Sequence, residues 1–303
     1  MRYASIDIGT NSCRLIIAEV EDDRLQVMER HINTTRIGAG LAASGEISRP
    51  AAERTIICLQ HFQRLIERAE VEDYRMAATS AVREASNRFW FEEQCRRRLH
   101  KEVEVISGER EAVLTYKGVQ RGLKLGRPLL VADLGGGSTE LIHSNGGLFL
   151  CSLPLGAVRA AEEKPDDSQI MELLAEVKEE RRRFADAVLV FCGGTATSLV
   201  AVKYGMRHYD SSLVHGQRLE REDVRQAYHT LLNTPLPERR GVAGLQPERA
   251  DVIVYGLQIM LNLMLALDKK WFVVSESDLL EGLIWEMYEK KPGKQPAVRQ
   301  IPS

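Results

Sequence analysis

Two short runs of residues in this chain have the composition of a turn that binds phosphate and a metal ion. The first reads Asp-Ile-Gly-Thr-Asn-Ser at residues 7–12, and the second reads Asp-Leu-Gly-Gly-Gly-Ser-Thr-Glu at residues 133–140. Glycine lets the backbone approach a ligand closely, so its N–H groups can bind phosphate oxygens while the aspartate holds a hydrated metal ion. Two such turns facing each other would bind one phosphate chain from both sides.

Each run follows an apolar stretch and precedes more residues of β type. Residues 3–8 and 129–134 read as buried strands, and residues 14–20 and 141–142 read as the strands that follow them. The pattern therefore predicts a strand, a glycine turn and a second strand, with a carboxylate at the end of the first strand. Strands and helices alternate along the rest of the chain, which predicts an α/β fold. One helix is expected near residues 167–184, and another is expected to begin near residue 109, after the turn at Ser107 and Gly108.

The length and the duplicated motif both predict two domains. A chain of 303 residues with 44% apolar content is long enough for two cores of about 150 residues each. Residues 122–128 contain two glycines and a proline, which are typical of a linker. We therefore expect a first domain at residues 1–124 and a second at 125–303. A helix at 279–290 is a candidate to join the first domain, and a frayed tail is expected from residue 292.

Composition argues against several classes of protein. With 41 basic and 43 acidic residues the net charge is −2, so no global basic field favours duplex nucleic acid. The five cysteines form no CxxC pair, which favours reduced thiols over a metal site or disulfides. The apolar stretch at 252–267 is too short to span a bilayer, and no signal-peptide pattern precedes the first strand. We expect a cytoplasmic protein without membrane contact.

Six blocks of the sequence resemble the exopolyphosphatase/guanosine pentaphosphate phosphatase (Ppx/GppA) family, in that family's order. They lie at residues 7–12, 78–85, 106–112, 133–140, 153–159 and 214–216. The family is a branch of the actin-like ATPase and sugar kinase superfamily. The resemblance therefore implies two actin-like, ribonuclease H-like domains with a central cleft between them. It also implies Mg²⁺-dependent release of terminal orthophosphate from inorganic polyphosphate.

The resemblance implies roles for four acidic residues. Glu111 matches the family's proposed catalytic base, although from the residues alone it could be an ordinary carboxylate at a helix N-terminus. Asp7, Asp133 and Glu140 are expected to hold Mg²⁺, directly or through water, and Glu140 is also expected to take part in catalysis. A single aspartate in such a turn often only caps it, but the duplicated context favours the metal.

The expected phosphate contacts come from the two turns and one arginine. Arg83 matches a family arginine and would clamp a phosphate, and its alternative is a solvated position at a helix start. The predicted substrate-binding residues are Gly9, Thr10, Asn11, Ser12, Arg83, Gly135, Gly136, Gly137, Ser138 and Thr139. The chain departs from many family members at Leu280, where those members carry arginine.

Several alternatives stay open at this point. The same chemistry would suit guanosine pentaphosphate (pppGpp), whose 5′-triphosphate presents a similar terminal group. An actin-like sensor would bind nucleotide or ppGpp without turnover. The presence of Glu111 together with the three other acidic residues argues against a sensor, because a protein that only binds needs no catalytic base. An ATP-dependent sugar or acetate kinase is disfavoured because the chain lacks room for large substrate insertions. A homodimer is also open.

Overall fold

A computed structural model of the protein describes residues 1–144 and 147–291, so the expected tail at 292–303 lies outside the described residues. Contacts divide the chain into two units. Among the described residues, unit 1 contains Met1–Gly118 and residues 279–291, and unit 2 contains Val119–Asp278. The division falls after Gly118, ahead of the predicted boundary at residue 124, and the domain assignment itself stays a prediction.

Strands and helices alternate along the chain. The strands are β1 Arg2–Ile8, β2 Cys13–Glu21, β3 Arg24–Asn33, β4 Asp73–Ala78, β5 Glu104–Val105, β6 Leu129–Leu134, β7 Thr139–Ser144, β8 Leu148–Leu153, β9 Val188–Cys192, β10 Arg218–Glu220 and β11 Trp271–Val274. The α-helices are α1 Leu41–Ser44, α2 Arg49–Arg68, α3 Ser80–Glu84, α4 Arg88–Leu99, α5 Gly108–Leu123, α6 Ala157–Glu163, α7 Asp167–Leu173, α8 Ala175–Glu179, α9 Gly194–Lys203, α10 Ser211–Val214, α11 Arg221–Asn233, α12 Leu236–Arg239, α13 Ile253–Ala266 and α14 Leu279–Glu289. Glu180–Arg182 and Pro247–Arg249 form short 3-10 helices.

The two sheets share one topology. Unit 1 has the strand order β3-β2-β1-β4-β5, and unit 2 has the order β8-β7-β6-β9-β11 with β10 added at the edge. In each sheet the first two pairings are antiparallel, and the next two are parallel. The predicted α/β class is confirmed. The duplication therefore extends from the short motif to the whole sheet of each unit.

Local sequence explains where the long helix α2 begins. The Ser48 hydroxyl accepts a hydrogen bond from the Ala51 N–H at 3.4 Å, and with Pro50 it fixes the start of α2. The apolar run at 252–267 forms the buried helix α13, whose Asn262 side chain donates to Asp167 at 2.9 Å. Within the described residues, no helix is both long and apolar enough to cross a membrane. All five cysteines are free thiols.

One helix expected from the sequence differs from the structure. Residues 167–184 read as a single helix, but α7 ends at Leu173, α8 follows it, and a 3-10 helix completes the segment. Leu174 between them has ψ of 6°, outside the helical range, which breaks the regular hydrogen-bond pattern. The hydrophobic periodicity continues across the break, so the sequence pattern does not reveal it.

Helix α14 packs on the sheet of unit 1. Leu280, Ile284 and Tyr288 follow a spacing of four residues and join one core cluster with Tyr3 and Ile16. Leu280, at the position where many family members have arginine, is fully buried, and its carbonyl accepts a hydrogen bond from the Ser5 hydroxyl at 2.8 Å. Leucine at this position therefore contributes to the core.

Glu286 is one of three glutamates of α14 that form ion pairs with other elements of unit 1. It forms ion pairs with Arg75 of β4 and Arg110 of α5. Burial alone would raise the pKa of this carboxyl, but hydrogen bonds from Arg110 and Arg75 outweigh burial and lower its pKa from 4.5 to about 2.

We expect Glu286→Gln to lower the free energy of unfolding by about 2 kcal/mol at pH 7, because it leaves two arginines without their shared charge partner. The folded-state pKa lies below the unfolded value, so this stabilisation is present above pH 4.5 and is lost as the pH falls towards 2. Urea unfolding of both proteins from pH 7 to pH 3 measures the difference. A difference that does not shrink with acid would contradict the ionic account.

Candidate active site

The two glycine turns have the same hydrogen-bonded geometry. In turn 1, residues 9–12, the Gly9 N–H donates to the Ser12 carbonyl at 3.1 Å, and in turn 2, residues 135–138, the Gly135 N–H donates to the Ser138 carbonyl at 3.0 Å. Each turn joins antiparallel strands, β1 to β2 and β6 to β7. The N–H groups of Gly9 and Gly135 therefore close their turns. The sequence analysis had expected these two N–H groups to bind phosphate.

A second set of hydrogen bonds holds the carbonyls of turn 1. The N–H groups of Arg36 and Gly38 donate to the carbonyls of Asn11 and Thr10, at 2.8 and 3.0 Å. A planar trans peptide points its N–H away from its C=O, so this contact turns the N–H groups of Asn11 and Ser12 to the opposite side. We call residues 34–40 the backing segment of turn 1.

Helix α6 does the same for turn 2. The N–H of Ala157 donates to the Gly135 carbonyl at 3.0 Å, and the Arg159 Nε donates to the Gly137 carbonyl at 2.8 Å. The N–H groups of Val158 and Arg159 both donate to the Gly136 carbonyl. The same peptide geometry turns the N–H groups of residues 136–138 away from α6. These are the backbone donors that turn 2 can offer a phosphate.

Side chains of the turns divide between structural and available groups. The Thr139 hydroxyl donates to the Leu155 carbonyl, and the Ser12 hydroxyl lies 3.4 Å from that of Thr34, so both help to hold the turns in place. The Asn11 side-chain nitrogen is buried and has no hydrogen-bond partner among residues 1–144 and 147–291. Asn11 is therefore the amide donor that most needs a ligand.

The residue that faces the motif aspartate across the strand pair is positively charged in unit 1 and negatively charged in unit 2. Asp7 pairs in register with Arg14, whose guanidinium donates to it at 2.7 and 2.9 Å. Asp133 pairs in register with Glu140, and both are buried, at 7% and 2% exposure. The Ser152 hydroxyl donates to Glu140 at 2.9 Å. The equivalent position thus carries a cation in unit 1 and a second carboxylate in unit 2.

The donor set of unit 2 fits a magnesium ion. Among the described residues, no group of three or more histidines, cysteines or carboxylates is placed to hold a metal. Mg²⁺, however, is usually held by one or two carboxylates together with waters and substrate phosphate oxygens. Two buried carboxylates in register repel each other unless a cation or a proton intervenes. Asp133 and Glu140 meet this description, whereas Arg14 already balances Asp7.

The turn after β9 packs against this carboxylate pair. Gly193 has φ of 89°, and a Cβ there would lie 2.7 Å from the Leu134 carbonyl and 3.2 Å from the Asp133 carboxylate. Glycine at this position lets α9 begin directly beside the end of β6. The segment therefore forms one wall behind Asp133.

Parallel strands bring the remaining predicted residues of unit 1 to one sheet edge. β1, β4 and β5 run parallel, and their carboxyl ends lead into turn 1, α3 with Arg83, and α5 with Glu111. Ser107 starts α5, because its hydroxyl accepts from the Arg110 N–H and its carbonyl from the Glu111 N–H. The placement follows from sheet topology.

Arg83 and Glu111 form an ion pair. The Arg83 Nη1 donates to the Glu111 carboxylate at 3.0 Å and to the Ile106 carbonyl at 3.0 Å, and Glu111 is 7% exposed. The predicted phosphate clamp thus holds the predicted base in a fixed orientation. The sequence analysis missed Arg14, Arg36 and Arg159. Arg14 could have been found by aligning the two motif copies, because it occupies the position in the first copy that Glu140 occupies in the second.

Two α/β units of one topology, each with a glycine turn between its first two strands, define an actin-like fold. The sequence profile of the Ppx/GppA phosphatase family matches residues 16–291, and the chain belongs to this family. The fold agrees with that of the Aquifex aeolicus PPX-GPPA enzyme at a TM-score of 0.78 and 32% identity, over 94% of this chain and 99% of that chain. The predicted family and the actin-like fold are confirmed.

Curated relatives differ in length and name. Exopolyphosphatase 2 of Mycobacterium tuberculosis is 31% identical over 93% of this chain and 97% of its own length. A bifunctional 3-dehydroquinate synthase/phosphatase of Fusobacterium nucleatum is 31% identical over 95% of this chain. A guanosine-5′-triphosphate,3′-diphosphate pyrophosphatase of Vibrio parahaemolyticus is 30% identical over 95% of this chain. The chain spans 47% and 59% of the latter two relatives.

We expect Gly156→Ala to displace turn 2, because a Cβ at residue 156 would lie 2.5 Å from the backbone of Gly136 and Gly137. A shift of about 1 Å at a reacting group can lower kcat/KM by about 10²-fold, and phosphate-release kinetics measure this. Gly241→Ala is the matched control, because the nearest atom to a Cβ there is the Glu238 carbonyl oxygen at 3.4 Å. The activity of this variant should be unchanged. Full activity of Gly156→Ala would show that turn 2 is not part of the site.

Proposed function

We propose that this protein hydrolyses the terminal phosphoanhydride bond of inorganic polyphosphate and releases orthophosphate. The observation that carries the proposal is the buried Glu111, which forms an ion pair with Arg83. Both residues follow the carboxyl ends of parallel strands of unit 1, where turn 1 also begins. A carboxylate at such a position can act as a general base. The similarity to the mycobacterial exopolyphosphatase over nearly the full length of both chains supports this substrate.

In the proposed reaction, Glu111 accepts a proton from a water molecule. The water oxygen forms a new bond to the terminal phosphorus, the bond from phosphorus to the bridging oxygen breaks, and the shortened chain leaves with its charge. In unit 1, the N–H groups of Asn11 and Ser12 are the proposed donors to phosphate oxygens. In unit 2, the N–H groups of residues 136–138 offer donors of the same kind. Arg83 keeps the base in position through its hydrogen bonds to Glu111 and Ile106.

The proposed cofactor is Mg²⁺, held by Asp133 and Glu140. When bound, the ion would neutralise charge on the phosphoryl oxygens. Asp7, which the sequence also assigned to the metal, instead orients Arg14 in this proposal, because their carboxylate and guanidinium groups already form a direct ion pair. The chain's own contribution is thus divided, with proton transfer assigned to unit 1 and metal binding to unit 2.

A second candidate substrate is guanosine pentaphosphate. The relative from Vibrio parahaemolyticus is named for a guanosine 5′-triphosphate,3′-diphosphate substrate. Phosphate release from long polyphosphate, tripolyphosphate and pppGpp, each measured with Mg²⁺ and with EDTA, separates the two enzymes. We expect the highest kcat/KM on polyphosphate. Faster release from pppGpp would favour the second candidate, and tight pppGpp binding without release from any of the three would favour a sensor.

The homodimer and the cytoplasmic location expected from the sequence stay predictions. The subunit number in solution can be measured by light scattering with the purified chain.

We expect Glu111→Gln to lower kcat on polyphosphate by about 10²-fold or more, because glutamine cannot accept the proton of the attacking water. The substrate KM should change far less. Quenched-flow or steady-state phosphate release measures both constants.

Glu109→Gln is the matched control for this experiment. Glu109 lies in the first turn of the same helix but is exposed, so its removal should leave kcat unchanged. A Glu111→Gln enzyme as active as the wild type would refute the assignment of the base.

A further inference from the structure

The two turns are held at equivalent carbonyls by different kinds of donor. When the turns are aligned on their first glycines, Asn11 of turn 1 corresponds to Gly137 of turn 2. The Asn11 carbonyl accepts from the backbone N–H of Arg36, and the Gly137 carbonyl accepts from the Nε of the Arg159 side chain, both at 2.8 Å. A side chain of unit 2 therefore makes the bond that the backbone makes in unit 1.

The start of α6 brings the Arg159 side chain to turn 2. Gly156 lies so close to the turn that a Cβ there would be 2.5 Å from the Gly136 carbonyl and from the Gly137 nitrogen. Arg159 is the third residue of α6, and helical side chains point towards the helix N-terminus. Its side chain is 19% exposed, and the Nη1 lies 3.7 Å from Glu163, one helical turn later. The contact with turn 2 thus follows from where α6 begins.

The glycine at residue 137 makes turn 2 dependent on an external bond. Glycine adopts positive and negative φ with similar ease, so the backbone at this residue is less restricted than at the asparagine of turn 1. The peptide that follows joins the Gly137 carbonyl to the Ser138 N–H, and both residues are buried. Because this peptide is planar and trans, a bond that fixes its carbonyl also fixes the direction of its N–H.

We propose that Arg159 is a positioning residue of the phosphate site, which acts through the Gly137 carbonyl to direct the Ser138 N–H towards the substrate. This inference rests on the proposed function, in which that N–H is a donor to phosphate. The Nε–H of arginine has a fixed direction in the guanidinium plane, and lysine has no donor at the same place. The feature that turn 2 requires is therefore the Nε–H and not the charge.

The test compares tripolyphosphate binding by Arg159→Lys, Arg159→Ala and the wild-type protein. Calorimetric titration in EDTA, where metal-dependent turnover is prevented, should show the dissociation constant raised by about 10-fold in both variants, the effect of one lost hydrogen bond to phosphate. Lysine keeps the charge but does not restore the Nε bond. An affinity of Arg159→Lys closer to the wild type than to Arg159→Ala would overturn the inference, because the charge would then carry the effect.

Glu163→Gln is the matched control on the same helix. It removes the charged partner of the Arg159 Nη1 and leaves the Nε bond to Gly137 in place, so the dissociation constant should equal that of the wild type. An equal loss of affinity in Glu163→Gln would show that any change around Arg159 weakens binding, and it would also overturn the inference.

A spectroscopic measurement distinguishes positioning from a purely structural role. In protein with ¹⁵N-labelled serine, the Ser138 amide resonance is identified by its absence in Ser138→Ala. It should shift when tripolyphosphate is added to the wild type, and the shift at saturation should be smaller in a folded Arg159→Lys protein. A purely structural role predicts a full shift with a lowered thermal unfolding midpoint. A full shift in Arg159→Lys, or no shift in the wild type, would contradict the positioning role.

The results also separate the two proposals. If wild-type protein binds tripolyphosphate but releases no phosphate with Mg²⁺, the proposed hydrolase is refuted, and the binding comparison still decides the role of Arg159. If wild-type protein releases phosphate and Arg159→Lys binds as tightly as it does, the inference about Arg159 is overturned while the hydrolase stands. Wild-type protein that binds no tripolyphosphate would refute the positioning role, and phosphate release from long polyphosphate then decides the hydrolase by itself.

Discussion

The pairing across each glycine turn is the constraint on which the rest of the structure depends. A glycine N–H closes the turn onto a serine carbonyl, and this bond fixes the strand register so that the motif aspartate faces the residue seven positions later. In unit 1 that residue is Arg14, and in unit 2 it is Glu140. Identical backbone geometry therefore produces a neutralised carboxylate in one unit and a pair of like charges in the other.

Different elements make the same hydrogen bonds to the two turns. A loop at residues 34–40 holds turn 1, and the start of helix α6 holds turn 2. Both bind the carbonyls of the turn and so direct its N–H groups to the other side. The requirement for close approach explains the glycines at 38 and 156, where a side chain would overlap the turn. The direction of the N–H groups in each turn thus depends on segments that lie outside the motif itself.

Sequence patterns predicted local features well and long-range ones poorly. Apolar runs bounded by glycine turns gave the position of β6 and the start of α5 after Ser107, because both depend on neighbouring residues. The contact of Arg36 with Asn11 joins residues far apart in the chain, so no local pattern reveals it. Leu280 was expected only as a departure from the family pattern, and its place in the core of unit 1 depends on the packing of α14.

We propose that Asp133 and Glu140 of unit 2 hold the metal ion and that Asp7 of unit 1 does not. Mn²⁺, which also prefers octahedral oxygen ligands, can report this through the loss of its free electron paramagnetic resonance signal on binding. Titration of wild type, Asp133→Asn and Asp7→Asn should show binding abolished in Asp133→Asn and retained in Asp7→Asn. Wild-type affinity in Asp133→Asn, or loss of binding in a folded Asp7→Asn protein, would contradict the account.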